Sequence, residues 1–458
     1  MTNFDAVVNF PKIISPKIFP ILLVNFIGVL GYSIVIPILI FIVADMGGNG
    51  FIYGILGAMY PFFQFMGAPI LGSLSDRIGR KKVLVISQAG TFVAWMLFLL
   101  AFALPKTELW SQNTELTGSY VMTLPLIIIF VARIFDGFTG GNISVANAYL
   151  SDISTDEDRN KNFGKMGAST SLGFVLGPAV AGLLASTVFG ELLPLGLAAL
   201  ISLIAIFVIS TKLGESNPCV VDTGGLNTHS FRRFFQVEHK DCYQEGNVEA
   251  NPPKKGWGSV LKEPGIPLLY AVYFLTFLAF SLFYAGLPIY ASTLLEWTAI
   301  DLGIFLAYSS LIMILVQGPL LSRLSDKISN QSLILVGSLL LSLSFFLLSM
   351  DSLIILYIAN TLLSIGNGLM WPSFLALLAR TGNPQIQGAI QGYGNSMGSM
   401  ASMFGLVLGG LLFETMETTV FAIGSGIFLI ITLLMGANFL QGNRKTVVNT
   451  TSETIAAR

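Results

Sequence analysis

A chain of 458 residues that is 53% hydrophobic and only 11% charged cannot bury its apolar surface as a soluble protein and would aggregate in water. Its formal net charge of -1 gives no electrostatic reason to bind nucleic acid. The apolar residues recur in runs of about 20 with few or no charges, each long enough to cross about 30 Å of hydrocarbon as a helix. The expected class is an all-α polytopic membrane protein whose solvent is the lipid bilayer.

In chain order, twelve transmembrane helices are expected, at 17–44, 50–74, 82–104, 122–150, 163–188, 191–211, 266–295, 301–322, 331–350, 352–379, 386–413 and 417–440. No small-residue cleavage site follows a short apolar run near the start, so the first span is expected to act as its own insertion signal. The second span ends in GSLSDRIGRKK (72–82), a charge cluster in an otherwise oily chain. Asp76 there falls at a helix C-terminus, where the dipole disfavours a carboxylate without a partner. Arg80 is four residues on, and Gly72, one turn before Asp76, is expected to allow close backbone approach.

Span four carries Arg133 and Asp136 near the middle of the bilayer. On insertion scales each costs about 2.5–3.5 kcal/mol at such a depth. Their i, i+3 spacing sets them on one helical face, where they can pair. Burial favours the neutral carboxyl and the guanidinium favours the charged one, a tension suited to loading and releasing a proton. Contact with a polar substrate, or a static structural pair, would use the same residues. In span ten the matching positions are Asn360 and Leu363, so the repeat builds this helix without the charges. Span five contains GFVLGPAVAG (173–182). Gly173 and Gly177 make a GxxxG pair, mirrored by Gly405 and Gly409, and Pro178 and Gly182 make this helix tightly packing and kinkable.

Six spans lie on each side of the polar segment 212–264. The expected organisation is an N-terminal half at 1–211, a cytoplasmic central loop at 212–264, a C-terminal half at 265–441 and a tail at 442–458. The loop holds Cys219, His229, His239 and Cys242, a chemically valid zinc set. Their spacing matches no standard finger, and such a loop also simply collects residues that spans exclude. The second half repeats the charge cluster as SRLSDKISN (322–330), displaced by 250 residues and centred on Asp326. In this copy Ser329 and Asn330 replace Gly79 and Arg80. GNSMG (394–398) matches a hydrolase elbow but sits in a Gly-rich span rather than a strand–turn–helix. No phosphate-binding GxxxxGK[ST] is present, and neither an enzyme nor a cofactor is expected. With the N-terminus inside, every one of the 24 basic residues except Lys106 and Arg133 faces the cytoplasm. Both termini are then cytoplasmic, in a cell (inner) membrane.

GSLSDRIGRKK resembles the signature between spans two and three of the major facilitator superfamily. LGYSIVIP (30–37) resembles its first-span pattern, RIFDGFTGG (133–141) its fourth-span motif, and GFVLGPAVAG the fifth-span motif associated with antiporters. GGNISVANAYLSDIS (140–154) is similar to the fourth span of twelve-span drug:proton antiporters, the tetracycline and multidrug exporters. The resemblance implies two six-helix pseudo-repeats rocking about a central cavity. It implies a conformational latch built from Gly72, Asp76, Gly79 and Arg80, weaker in the copy at Asp326, with Asp152 able to engage the Arg. The helix carrying Gly173, Gly177, Pro178 and Gly182 would line the interface at which the halves rock, and Asp136 with Arg133 would couple transport to protons. Pockets for amphipathic ligands are mostly apolar with a few placed polar groups. Asn25, Gln64, Asn142, Tyr284, Asn360 and Trp371 are candidates to line one, and each also reads as a packing residue. The expected function is proton-driven efflux of small amphipathic, drug-like or tetracycline-like compounds by a monomer. Two alternatives stay open: a proton symporter or facilitative carrier of a metabolite or lipid-like solute, and a non-transporting sensor or scaffold.

Overall fold

The computed structural model describes residues 18–114, 117–155, 158–216, 257–325, 327–350, 352–382 and 387–456. The central-loop residues Cys219, His229, His239 and Cys242, and Asp326 of the second charge cluster, lie outside them. The N-terminal half contains α1 (Phe19–Val35), α2 (Leu39–Asp45), α3 (Gly50–Ile78), α4 (Arg80–Ala103), strands β1 (Glu108–Thr114) and β2 (Gly118–Thr123), α5 (Leu124–Gly140), α6 (Ile143–Asp152), α7 (Arg159–Ala185) and α8 (Leu192–Lys212). The C-terminal half contains α9 (Ile266–Thr293), α10 (Ala299–Leu315), α11 (Leu321–Ser325), α12 (Asn330–Leu348), α13 (Leu353–Arg380), α14 (Gln387–Met416) and α15 (Val420–Ala456).

Among the described residues, ten helices are long and apolar enough to cross a membrane, eleven if the bent pair α1–α2 is one crossing. One of these runs is Ile390–Asn438, 49 residues. At 1.5 Å per residue it would extend about 74 Å, more than twice the hydrocarbon thickness. It holds two helices, α14 and α15, joined by a 3-10 turn at Glu417–Thr419, and Glu417 takes a positive φ of 47° there. Counted as two crossings, this run brings the number to the expected twelve.

Three departures from uniform spans have local causes. The first span bends by 42° between α1 and α2. Pro37 in that break has no N–H and its ring clashes with the preceding turn. The fourth span breaks after Gly140. Asn142 N–H bonds Thr139 O and Ser144 N–H bonds Gly141 O, so the chain tightens to i, i+3 spacing. The eighth span passes through a π-helical turn, Val316–Leu320, with Pro319 inside it, before α11. The segment after α4, between the third and fourth expected spans, forms an antiparallel hairpin of β1 on β2.

The main packing contacts of one half have their mates in the other. α1 packs on α7 and α8, as α9 packs on α14 and α15. α4 packs on α5 and α8, as α12 packs on α13 and α15. Between the halves, α3 meets α14 and α7 meets α10, which again are equivalent pairs. Two six-helix pseudo-repeats related by an axis along the bundle produce this correspondence.

Small residues set the helix separations. A Cβ on Gly173 would lie 2.9 Å from Val29 Cβ, and one on Gly177 would overlap Ser33, so α7 lies directly on α1. Gly405 and Gly409 do the same for α14 on α9, against Ser281 and Ala285. The helix α7 that carries Gly173, Gly177, Pro178 and Gly182 packs on α10 of the opposite half, and Gly182 meets the backbone of Gly303 there. Gly173 and Gly177 serve packing inside their own half. Gly72 is not a close-approach point, since the nearest atom to a Cβ there is Ser144 Oγ at 3.5 Å. That place is taken by Gly67, whose Cβ would strike Phe138 O on α5.

Candidate functional site

Arg133 and Asp136 project from the middle of α5 into the packed interior of the N-terminal half. Arg133 Nη1 and Asp136 Oδ2 are 3.6 Å apart, and both side chains are 3% exposed. That separation is longer than a hydrogen bond. Arg133 Nε and Nη1 and Asp136 Oδ2 have no hydrogen-bond partner among the described residues. The guanidinium carbon lies 5.3 Å from the Phe98 ring centroid on α4, a cation–π contact. The rings of Tyr32 on α1 and Tyr60 on α3 stack at 4.3 Å within electrostatic reach of both charges. Two opposite charges are therefore held together in a low-dielectric site without being fully satisfied, which is costly unless a proton or ligand completes them.

The break after Gly140 belongs to the same site. In a continuous helix Ser144 N–H would bond Gly140 O, but it bonds Gly141 O instead. Gln64 fills the vacancy, donating from Nε2 to Gly140 O at 3.1 Å. Its Oε1 accepts from Ser399 Oγ on α14, also at 3.1 Å, which ties the broken helix to the opposite half. Asn142 lies half-buried in the break.

The other candidate cavity residues divide by environment. Asn25 donates to Ser169 Oγ (2.7 Å) and Thr170 Oγ1 (2.8 Å), holding α1 to α7. Asn360 is 1% exposed and accepts from Ser309 Oγ at 2.6 Å, so it lines no open space and joins α13 to α10. Tyr284 is half-buried, with its ring against Phe280 and Phe283 and its carbonyl accepting from Tyr53 Oη at 2.7 Å. Trp371 is half-buried against Tyr273, Phe277 and Phe374. Ser396 of the hydrolase-like motif sits inside α14 and donates to Gly392 O.

A second polar site occupies one end of the bundle, here called the basic end. Arg80 Nη1 meets Asp76 Oδ1 at 2.6 Å, and Arg80 Nε meets Asp152 Oδ2 at 3.1 Å. Gly79 positions this Arg. It sits at φ 104°, ψ 148°, a backbone region essentially closed to other residues. Its counterpart Ser329 is extended at φ -64° and caps α12 through Ser332 N–H, so the second copy is a differently built turn. All three charged partners belong to the N-terminal half. Sequence reasoning missed Glu215, which accepts the backbone N–H groups of Arg80 (2.8 Å) and Lys81 (3.2 Å) and so caps α4 from beyond α8. Ser216 also donates to Asp152 at 3.0 Å. The available signal was an acid just past a span end, opposite a basic helix start.

At the opposite, hairpin end the halves touch directly. Gly182 abuts Gly303, and Gly54 abuts Gly410, backbone against backbone. Each of these four lies within about two turns of its helix's hairpin-end terminus.

The sequence model of the Major Facilitator Superfamily matches residues 21–350 and 315–455. The chain belongs to that superfamily. Among its relatives, the class C tetracycline resistance protein of Escherichia coli is 25% identical over 408 residues, 87% of this chain and 91% of the relative. Multidrug resistance protein 2 of Bacillus subtilis is 26% identical over 410 residues, covering 87% and 89%. The crystal structure of the human organic anion transporter MFSD10 shares the fold with a TM-score of 0.64 at 18% identity, across 93% of this chain and 100% of that one. The protein is thus a multi-pass membrane transporter of the major facilitator fold.

Proposed function

We propose that this facilitator exports small amphipathic compounds in exchange for protons, by alternating access between its two halves. The observation that carries the reading is the Arg133–Asp136 pair, 3.6 Å apart, 3% exposed and incompletely hydrogen-bonded. Intramembrane ionisable residues are functional by default, because their cost selects against them otherwise. With Asp136 charged, the pair is neutral overall. A proton on Asp136 leaves Arg133 as a net positive charge, so the two states differ in what the site attracts. A proton from the outside would neutralise Asp136 as substrate leaves, and its release inward would restore the carboxylate for the next cycle. The relatives named for tetracycline and multidrug resistance support efflux of drug-like molecules as the direction and class.

The positive-inside distribution supports a cytoplasmic basic end. The hairpin end, where Gly182 abuts Gly303 and Gly54 abuts Gly410, then faces the outside. In the outward-facing state Asp76 and Arg80 would act as the latch that the superfamily signature implies. Purified protein in proteoliposomes tests the reading. Addition of a transported compound should release protons, whereas a symporter would consume them. Asp136→Asn should abolish transport driven by a pH gradient and retain substrate binding. Unchanged gradient-driven flux in that variant would remove Asp136 from the coupling.

A further inference from the structure

We infer that Glu414 is a cross-half strut that locks the hairpin end shut. It projects from the last turn of α14, in the C-terminal half, onto the N-terminus of α3 in the other. The first turn of a helix leaves several backbone N–H groups without intrahelical partners. In α3, Asn49 accepts one of them, from Ile52 at 3.1 Å, and no acidic side chain lies in that turn. The Glu414 carboxylate lies against this first turn, beside the N–H groups of Gly50 and Phe51. α3 therefore receives the negative charge its N-terminus favours from the opposite repeat.

The surroundings are shaped for this carboxylate. A Cβ on Gly50 would stand 2.9 Å from Glu414 Oε1, and one on Gly118 would stand 3.3 Å from Oε2. Gly118, at φ +67°, is the first residue of β2, and Asn49 Nδ2 donates to the adjacent Thr117 O at 2.6 Å. Val121 N–H bonds Gly47 O, and Thr123 Oγ1 bonds Met46 O, which pins the hairpin to the α2–α3 junction. Glu414, exposed at this end, thus has the hairpin on one side of its carboxylate and the helix N-terminus on the other. Two glycines leave the space, and one acid from the far half fills it.

The inference rests on the alternating-access reading, since a strut matters only if the two ends open in turn. Inter-label distances test it in the full chain, with Cys219 and Cys242 replaced by Ser. One spin-label pair at Val188 and Leu294, both exposed in opposite halves, reports on the hairpin end. A second pair at Gly164 and Arg380, both exposed, reports on the basic end. Loss of a charge–dipole contact of ordinary size raises the hairpin-open population about five-fold in Glu414→Ala. The hairpin-end distance should lengthen while the basic-end distance shortens. Glu414→Gln, which keeps an acceptor oxygen, should give a smaller shift in the same directions. Unchanged distributions in Glu414→Ala would overturn the strut, as would broadening at both ends together, the mark of general loosening. A wild-type protein fixed in one state at both ends, with and without a pH gradient, would instead overturn alternating access itself.

Discussion

Asn360 holds in span ten the place that Arg133 holds in span four, and the contrast separates a packing residue from a chemical one. Asn360 is fully buried with its carboxamide engaged by Ser309, whereas Arg133 keeps Nε and Nη1 unbonded. Interhelical hydrogen bonds in membranes average about 0.6 kcal/mol. Asn360→Leu is therefore expected to change stability by less than about 2 kcal/mol and to leave transport near wild type, read by thermal unfolding in detergent and by flux. The Arg133–Asp136 pair was legible in the sequence because its evidence is local: two costly charges at i, i+3 in one apolar run. Glu215 and Glu414 were not legible. Each serves a helix N-terminus of a distant segment, and capping rules read only the residues immediately before a helix. The amide of Gln64 was visible as a polar residue in a span. Its task was not, because the carbonyl it serves is freed by a break in another helix.

At the scale of helices, the breaks and close contacts follow from residue type once the neighbours are known. Pro37 bends the first span, and the Gly140–Gly141 pair interrupts the fourth. The sequence marked both places without saying that the chain would break there. The hairpin was hidden for another reason. β1 is exposed along its whole length, so it shows no inward–outward alternation from which a strand can be read. The GxxxG repeats were legible as close-packing elements, but the partner of each had to come from the fold. Gly177 and Gly196 now make a sharp comparison. A side chain on Gly177 collides with Ser33, while one on Gly196 of α8 meets nothing within 4 Å. Gly177→Val should lower stability by about 1–3 kcal/mol through overpacking of α1 on α7. Gly196→Ala should be neutral or stabilising by up to about 1 kcal/mol, since Ala is the better helix former. Thermal denaturation of the two variants side by side measures the difference.

For the whole molecule, duplication was legible in the repeated SLSDRIG and RLSDKIS segments, and the main helix contacts of the two halves repeat it. The halves are unequal in chemistry. The midplane ion pair, the broken fourth span and the Gly79 turn all belong to the first half. If the positive-inside rule sets the orientation, a membrane-impermeant thiol reagent applied to intact cells should modify a cysteine at Val188 and spare one at Arg380. Inside-out vesicles should reverse that result. The hydrogen bond from Ser399 to Gln64 has a mechanical consequence. Gln64 is the middle residue of α3, and Ser399 is close to the middle of α14, so this bond lies near mid-depth, where a rocking motion has its axis. A contact half the hydrocarbon thickness away, about 15 Å, is carried roughly 2.6 Å by a tilt of about ten degrees, enough to part a hydrogen bond. A contact on the axis barely moves. If the halves rock as proposed, Gln64 and Ser399 can stay joined through the whole cycle as a hinge pin, while the contacts at both rims make and break around them.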